Sequence, residues 1–147
     1  MYYENHHCYE FAAKIIDIFP NVKQENIPNI VILDKSAFYP TSGGQQHDTG
    51  TVKIDETTYN VVNVEKAGHC FLHTLDQPLS MDVKGSDVEC TIDRQRRSQL
   101  RAHHTGTHII FAACRKVLGP HVWQNGAKKT TESAHLDITH YKSLSHE

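Results

Sequence analysis

The sequence has little of what usually assigns a protein to a class at a glance. No run of apolar residues is long enough to span a bilayer, and the opening MYYENHHCYE lacks the basic-then-apolar order of a secretion signal. The expectation is a cytoplasmic protein with no membrane partner. Charge of one sign is also lacking: the net charge is −2. No global positive field marks a nucleic-acid binder, so any such role must come from local patches. The four cysteines (Cys8, Cys70, Cys90, Cys114) are too sparse and irregular for a disulfide framework and read as reduced thiols. Low-complexity tracts and internal repeats are missing as well. What is present is 147 residues, 38% hydrophobic and 22% charged, enough for one core or two small subdomains sharing an interface. Twelve histidines are the one compositional oddity.

The first ninety or so residues read mostly as strands. IVILD (30–34) is a buried run, TVKID (51–55) follows the turn residues Asp48-Thr49-Gly50, and TYNVVNVEK (58–66) turns at Ala67-Gly68 into HCFLHTL (69–75). VECTID (88–93) closes the series, and short strands at this spacing suggest a small barrel or sandwich. EFAAKIIDIF (10–19) is ambiguous between helix and strand, with Pro20 expected to end it. The character changes at Asp93, a good N-cap. From there DRQRRSQLRAHHTGTHIIFAACRKVLG carries helical periodicity as far as the stop at Gly119-Pro120. Leu100, Thr107, Phe111, Cys114 and Leu118 share its apolar face. Gly106 costs this helix roughly 1 kcal/mol against Ala and does not break it. Beyond it, HVWQNGAKK and AHLDITHY look like short strands around an Asn125-Gly126 turn.

Three features carry chemistry. His104 and His108 stand four apart on the helix, so a rigid turn aims two imidazoles at one point, as a metal site requires. No Glu follows the first His, which excludes the metalloprotease signature. The pair is half of a four-ligand set. Cys114 lies around the helix from it, while Cys70 with His73, and His6-His7-Cys8, are further donors without a sharp signature. The second feature is a stripe of Arg94, Arg97, Arg101 and Arg115 flanking the pair. Arginines crowd the N-terminal half, where the helix dipole disfavours cations. That cost is tolerated more readily when the charges face an anion, so the stripe reads as a phosphate track, against the plainer reading of a solvated basic face. The third is FYPTSGGQQHDTG (38–50). Gly43-Gly44 lets backbone approach a ligand closely and Gln45 offers an amide, although a tight turn between strands would serve equally well.

Together LDKSAFYPTSGGQQHDTG, IDRQRRSQLRAHHTGTHIIFAACRKVLGPHVWQNGAKKT and AHLDITHY resemble the alanyl-tRNA synthetase family, specifically its internal editing region and the related free-standing deacylases. The motifs occur in the family's order, nearly end to end, and the wording QNGAKKT and LDITHYKSL is closest to archaeal-type synthetases. The resemblance implies an α+β protein: a glycine-rich β-barrel subdomain over residues 1–92, then part of an α+β editing core over 93–147, of the kind shared with threonyl-tRNA synthetase. It implies hydrolysis of the ester that wrongly joins serine or glycine to the 3′ end of tRNA(Ala), with that acceptor end as partner. Such proofreading is needed because a pocket for a small side chain rejects near-isosteres poorly. The family holds zinc with the His-x-x-x-His pair, matched by His104 and His108, and a downstream Cys-x-x-x-His that would lie beyond His140. The resemblance therefore implies a truncated chain with an incomplete zinc site and no robust hydrolysis by itself. ATP and magnesium belong to the family's aminoacylation domain, which this sequence does not show. Thr107 and Gln124 match positions that shape the catalytic pocket, Asn125 and Gly126 its wall, and Gly43, Gly44, Gln45, Arg97 and Arg101 would face the RNA. Two rival readings stay open: a non-catalytic tRNA-binding module, and a self-contained hydrolase using Cys70 and His73 as the missing ligands.

Overall fold

The computed structural model describes residues 8–144. The chain forms two compact units, one running through Ser42 together with His47–Arg97, the other combining Gly43–Gln46 with the chain from Ser98.

The first unit is a closed six-stranded barrel. Its strands are β1 (Glu10–Asn21), β2 (Ile27–Leu33), β3 (Gly50–Ile54), β4 (Thr57–Ala67), β5 (Cys70–Leu75) and β6 (Asp87–Ile92), in the order β1-β2-β5-β4-β3-β6 with β6 closing against β1. Every pairing is antiparallel. Closure satisfies the strand edges within the unit. The sequence alternates to match: Val88, Cys90 and Ile92 of β6 point inward while Asp87, Glu89 and Thr91 face out. Ile15, Ile18, Val31, Val52, Val61, Val64 and Leu75 join them around Phe38 in one apolar core. Pro20 does not end β1 as expected. It lies opposite Pro28, just past a register shift, at a strand end where a missing N–H costs the ladder little.

Among the polar groups buried with this core are His73 and the Arg97–Asp48 pair. His73 is 0% exposed, with Nε2 at 2.8 Å from Ser36 Oγ and Nδ1 at 3.3 Å from the Val31 carbonyl oxygen. Burial pushes its pKa down to about 4, so the ring is neutral. Arg97 is 3% exposed, and its guanidinium pairs with the carboxylate of Asp48, itself 0% exposed, while Nη2 donates to the Ala37 carbonyl at 2.6 Å. The Asp48 carboxylate also accepts the Tyr39 N–H at 2.7 Å. A buried carboxylate is tolerable only when matched in this way.

Helix α1 (Arg94–Leu118) starts as its sequence signals, with Asp93 Oδ1 accepting the Arg96 N–H at 3.0 Å, and stops at Gly119 in a positive-φ conformation. Leu100 and Thr107 are buried on its inner face. The second unit adds an antiparallel pair, β7 (Gln124–Lys129) and β8 (Ala134–Ile138). Asn125-Gly126 is not the turn between them. It lies inside β7 at a register shift, and the turn falls at 130–133, where Thr130 Oγ1 accepts the Glu132 and Ser133 N–H groups. The hydroxyl-capped turn supplies the reversal, leaving the Asn-Gly pair free to form a bulge.

Candidate metal centre

His104 and His108 project from consecutive turns of α1, and their Nε2 atoms stand 3.1 Å apart with ring centroids at 4.9 Å. Two nitrogens bound to one tetrahedral zinc at about 2.05 Å each would be separated by roughly 3.3 Å. The observed spacing is close to that edge, so the pair fits two positions of such an ion. The other face of His104 is held: Nδ1 lies 2.8 Å from Gln45 Oε1. An amide oxygen can only accept, so Nδ1 carries the proton and Nε2 keeps its lone pair. Partial burial lowers the His104 pKa, with the charge on Lys129 and neighbouring His108 adding to it. All three effects favour the neutral ring that binds metals.

The neighbouring His103 illustrates the contrast. Its Nδ1 sits 2.7 Å from the Thr130 carbonyl and its Nε2 meets the Gln99 side chain at 3.0 Å, so both nitrogens are committed to structure. Of the two adjacent histidines only His104 can ligate.

Gln45 reaches the pair because of the two glycines before it. Gly43 and Gly44 both have positive φ (56° and 74°), and a Cβ on Gly44 would meet the Ala127 carbonyl oxygen at 1.9 Å. The loop lies flat against β7, where Lys129 N–H donates to the Gly44 carbonyl at 2.7 Å and Gln46 N–H to the Lys129 carbonyl at 3.1 Å. Lys129 Nζ donates to the Gly43 carbonyl at 2.9 Å, and this lysine is only 3% exposed. Its pKa is lowered by that burial. Lys129 was not among the residues expected from sequence. The only available signal was a lysine at the inward-facing end of a strand.

The remaining expected residues fall differently. Thr107 is buried, and its hydroxyl donates to the His103 carbonyl at 2.7 Å, a local bond across one turn. Gln124 and Asn125 are exposed at the start of β7, and a Cβ on Gly126 would meet Asp137 Oδ2 at 2.9 Å. Arg101 is half-buried beside Ser98, Ala102, Thr105 and Gly106. Arg94 is exposed, near Glu10 Oε1 at 3.3 Å and over the Tyr9 ring at 5.0 Å. Arg115 lies 4.6 Å from the Trp123 ring centroid. Arg97 leaves the expected stripe altogether, because the buried Asp48 claims its guanidinium. Gln45 is 4% exposed and turned to His104, so its amide is not laid open as a surface contact.

Among the described residues no group of three or more His, Cys, Asp or Glu side chains could hold a metal ion. His73 cannot be a third ligand, since Ser36 and the Val31 carbonyl occupy both its ring nitrogens. His6 and His7 lie outside the described residues. The pair thus stands as two donors among the described residues.

A family profile described as tRNA synthetases class II (A) matches residues 1–96. Over all 147 residues the chain is 45% identical to an alanine–tRNA ligase of Ignicoccus hospitalis and 43% identical to one of Pyrococcus furiosus. It is 44% identical over the same length to that of Staphylothermus marinus. In each case the chain spans 15% of the relative's length.

Proposed function

From the premise that this chain belongs to the class II (A) tRNA synthetases, we propose that it forms part of an alanine–tRNA ligase of archaeal type, in the module that hydrolyses serine or glycine wrongly esterified to tRNA(Ala). The observation that supports this reading best is the convergence of the two Nε2 atoms at 3.1 Å, one of them on a ring whose tautomer an amide oxygen holds. His104 and His108 would hold zinc, which in such a site anchors the 3′ end or polarises the ester or a water. In this reading residues 1–92 serve as the glycine-rich barrel subdomain and residues 93–147 belong to the editing core.

The chain's own residues have separable tasks. Gln124 and Asn125, exposed on β7, offer amides to a substrate hydroxyl or amine. Thr107, which matches a pocket position of the family, is 3% exposed, and its hydroxyl proton is given to the His103 carbonyl. A hydroxyl so committed can accept from a serine side chain but not donate to it. That asymmetry favours a substrate carrying a hydroxyl donor over one carrying a methyl group. Arg101 and Arg94 supply charge for the acceptor-stem phosphates, and Arg97 does not. ATP and magnesium serve aminoacylation in the longer synthetases and have no assigned residue here. The partner is the acceptor end of tRNA(Ala).

The test is a graft. Residues 1–147 replace the aligned segment of the Pyrococcus furiosus alanine–tRNA ligase, and single-turnover hydrolysis of seryl-tRNA(Ala) is followed. We expect the graft to hydrolyse seryl-tRNA and the His104→Ala/His108→Ala graft to lose at least a hundredfold while alanine charging persists. The isolated chain, with two donors alone, should turn over poorly. A graft that charges alanine but hydrolyses no seryl-tRNA, or one indifferent to both histidines, would refute the reading.

A further inference from the structure

We infer that Gln45 is the positioning residue of His104, and that the Gly43-Gly44 turn is built to deliver it. The inference rests on the metal reading for its consequence, but on the geometry of this unit for its substance. Three independent restraints fix the loop. Lys129 N–H and the Gln46 N–H form a two-bond bridge with it, the Lys129 ammonium holds the Gly43 carbonyl, and Gly44 approaches the Ala127 carbonyl closer than any Cβ permits. A glycine pair serving only as a turn would need neither the buried lysine nor the close approach. Their joint effect is to bring one side-chain oxygen to 2.8 Å from His104 Nδ1, in a residue 4% exposed.

That contact has a chemical consequence. With Oε1 as acceptor, His104 is held as the Nδ1–H tautomer, its Nε2 lone pair directed to where His108 Nε2 stands. A histidine ligand ordinarily gives its second N–H to a carboxylate, carbonyl or water, and removing that partner typically costs 10–100-fold in metal affinity. Gln45 fills this place from a loop 59 residues away in sequence. A glutamate would fill it more strongly, since a charged acceptor makes a stronger bond. Gln45 therefore acts on the site through His104 rather than by touching substrate.

The experiment uses the 147-residue chain itself, with histidine side-chain nitrogens followed by long-range 1H–15N NMR. His104 should show the Nδ1–H form in the wild type and in Gln45→Glu, and should be released from it in Gln45→Met. Zinc should shift His104 and His108 together, with apparent affinity about 10–100-fold weaker in Gln45→Met and undiminished in Gln45→Glu. The His103 signal, whose Nδ1 bonds the Thr130 carbonyl in the same unit, reports that each variant is folded. If His104 keeps one tautomer and one zinc affinity through all three proteins, the inference is overturned while the metal pair stands. If zinc moves neither ring in the wild type, the metal reading falls, and the tautomer comparison alone decides the role of Gln45.

Discussion

Lowering the pH from 7.5 to 4.5 should destabilise the barrel mainly through one residue, His73. Its ring is neutral and buried with both nitrogens bonded, and its pKa falls from 6.5 in the unfolded chain to about 4 in the fold. Above pH 6.5 both states are neutral and the stabilisation is fully present. As pH falls below 6.5 the unfolded state takes a proton that the fold refuses, so stability is lost progressively until about pH 4, where the folded ring also titrates. At roughly 1.36 kcal/mol per pKa unit the whole loss is about 3 kcal/mol, a large share of a small domain's stability. The acidic groups with lowered pKa values, Asp17 and Asp76, start from 3.8 and enter only at the bottom of this window. The single tryptophan, Trp123, lies outside the barrel unit, so its fluorescence would report the wrong unfolding. Urea titrations at a series of pH values, read from the amide signals of Val31, Val64 and Leu75, measure the right one. His73→Gln should lower stability at pH 7.5 and flatten the pH dependence between 6.5 and 4.5. An undiminished slope in His73→Gln would refute the assignment; a residual slope of the same sign is expected from His47, whose pKa burial also lowers.

Breaking the buried ion pair with Arg97→Met should cost about 3–5 kcal/mol, because Asp48 is left charged in the core. Arg97→Met with Asp48→Leu should recover much of that loss in the same urea titrations. Gly44→Ala should dislodge the loop, since its Cβ would overlap the Ala127 carbonyl, and the His104 signal should change. Gly43→Ala meets nothing within 4 Å and should cost only the positive-φ penalty of roughly 1–2 kcal/mol. Arg101→Ala should weaken tRNA binding and reduce its salt dependence by about one charge, measured by filter binding across salt concentrations.

The barrel strands after β1 were readable because each alternates or runs apolar near turn residues, whereas EFAAKIIDIF fits either a helix or a strand. Four of the six, β3 to β6, start within a residue or two of where Gly, Asp and Thr punctuate the chain. Pro20 misled because the penalty for proline depends on whether its N–H faces a ladder partner, which a linear sequence does not reveal. Asn125-Gly126 misled in the same way: it is the best local turn signal in the region, and tertiary pairing placed the reversal at Thr130 instead. In the site, the helix spacing located His104 and His108 because four residues make one turn whatever the surroundings. The partners of the ring nitrogens agree with that choice, since both nitrogens of His103 are taken by Thr130 and Gln99. The arginine stripe, by contrast, failed at Arg97. Its carboxylate sits in an Asp-Thr-Gly run that reads as a turn, and a partner 49 residues away leaves no local trace. Gln45 was expected to face RNA from an open loop, whereas β7 pairs with that loop and the amide is 4% exposed and turned to His104.

The claim on which the rest depends is that one metal ion can sit between His104 and His108. Crystals of the chain soaked in zinc, with diffraction recorded either side of the zinc edge, test it without any assay. The account predicts an anomalous peak about 2.1 Å from both Nε2 atoms. It also predicts no equal peak between His121 and His140, whose nitrogens are 2.8 Å apart. Zinc found at the second pair and not the first would contradict it.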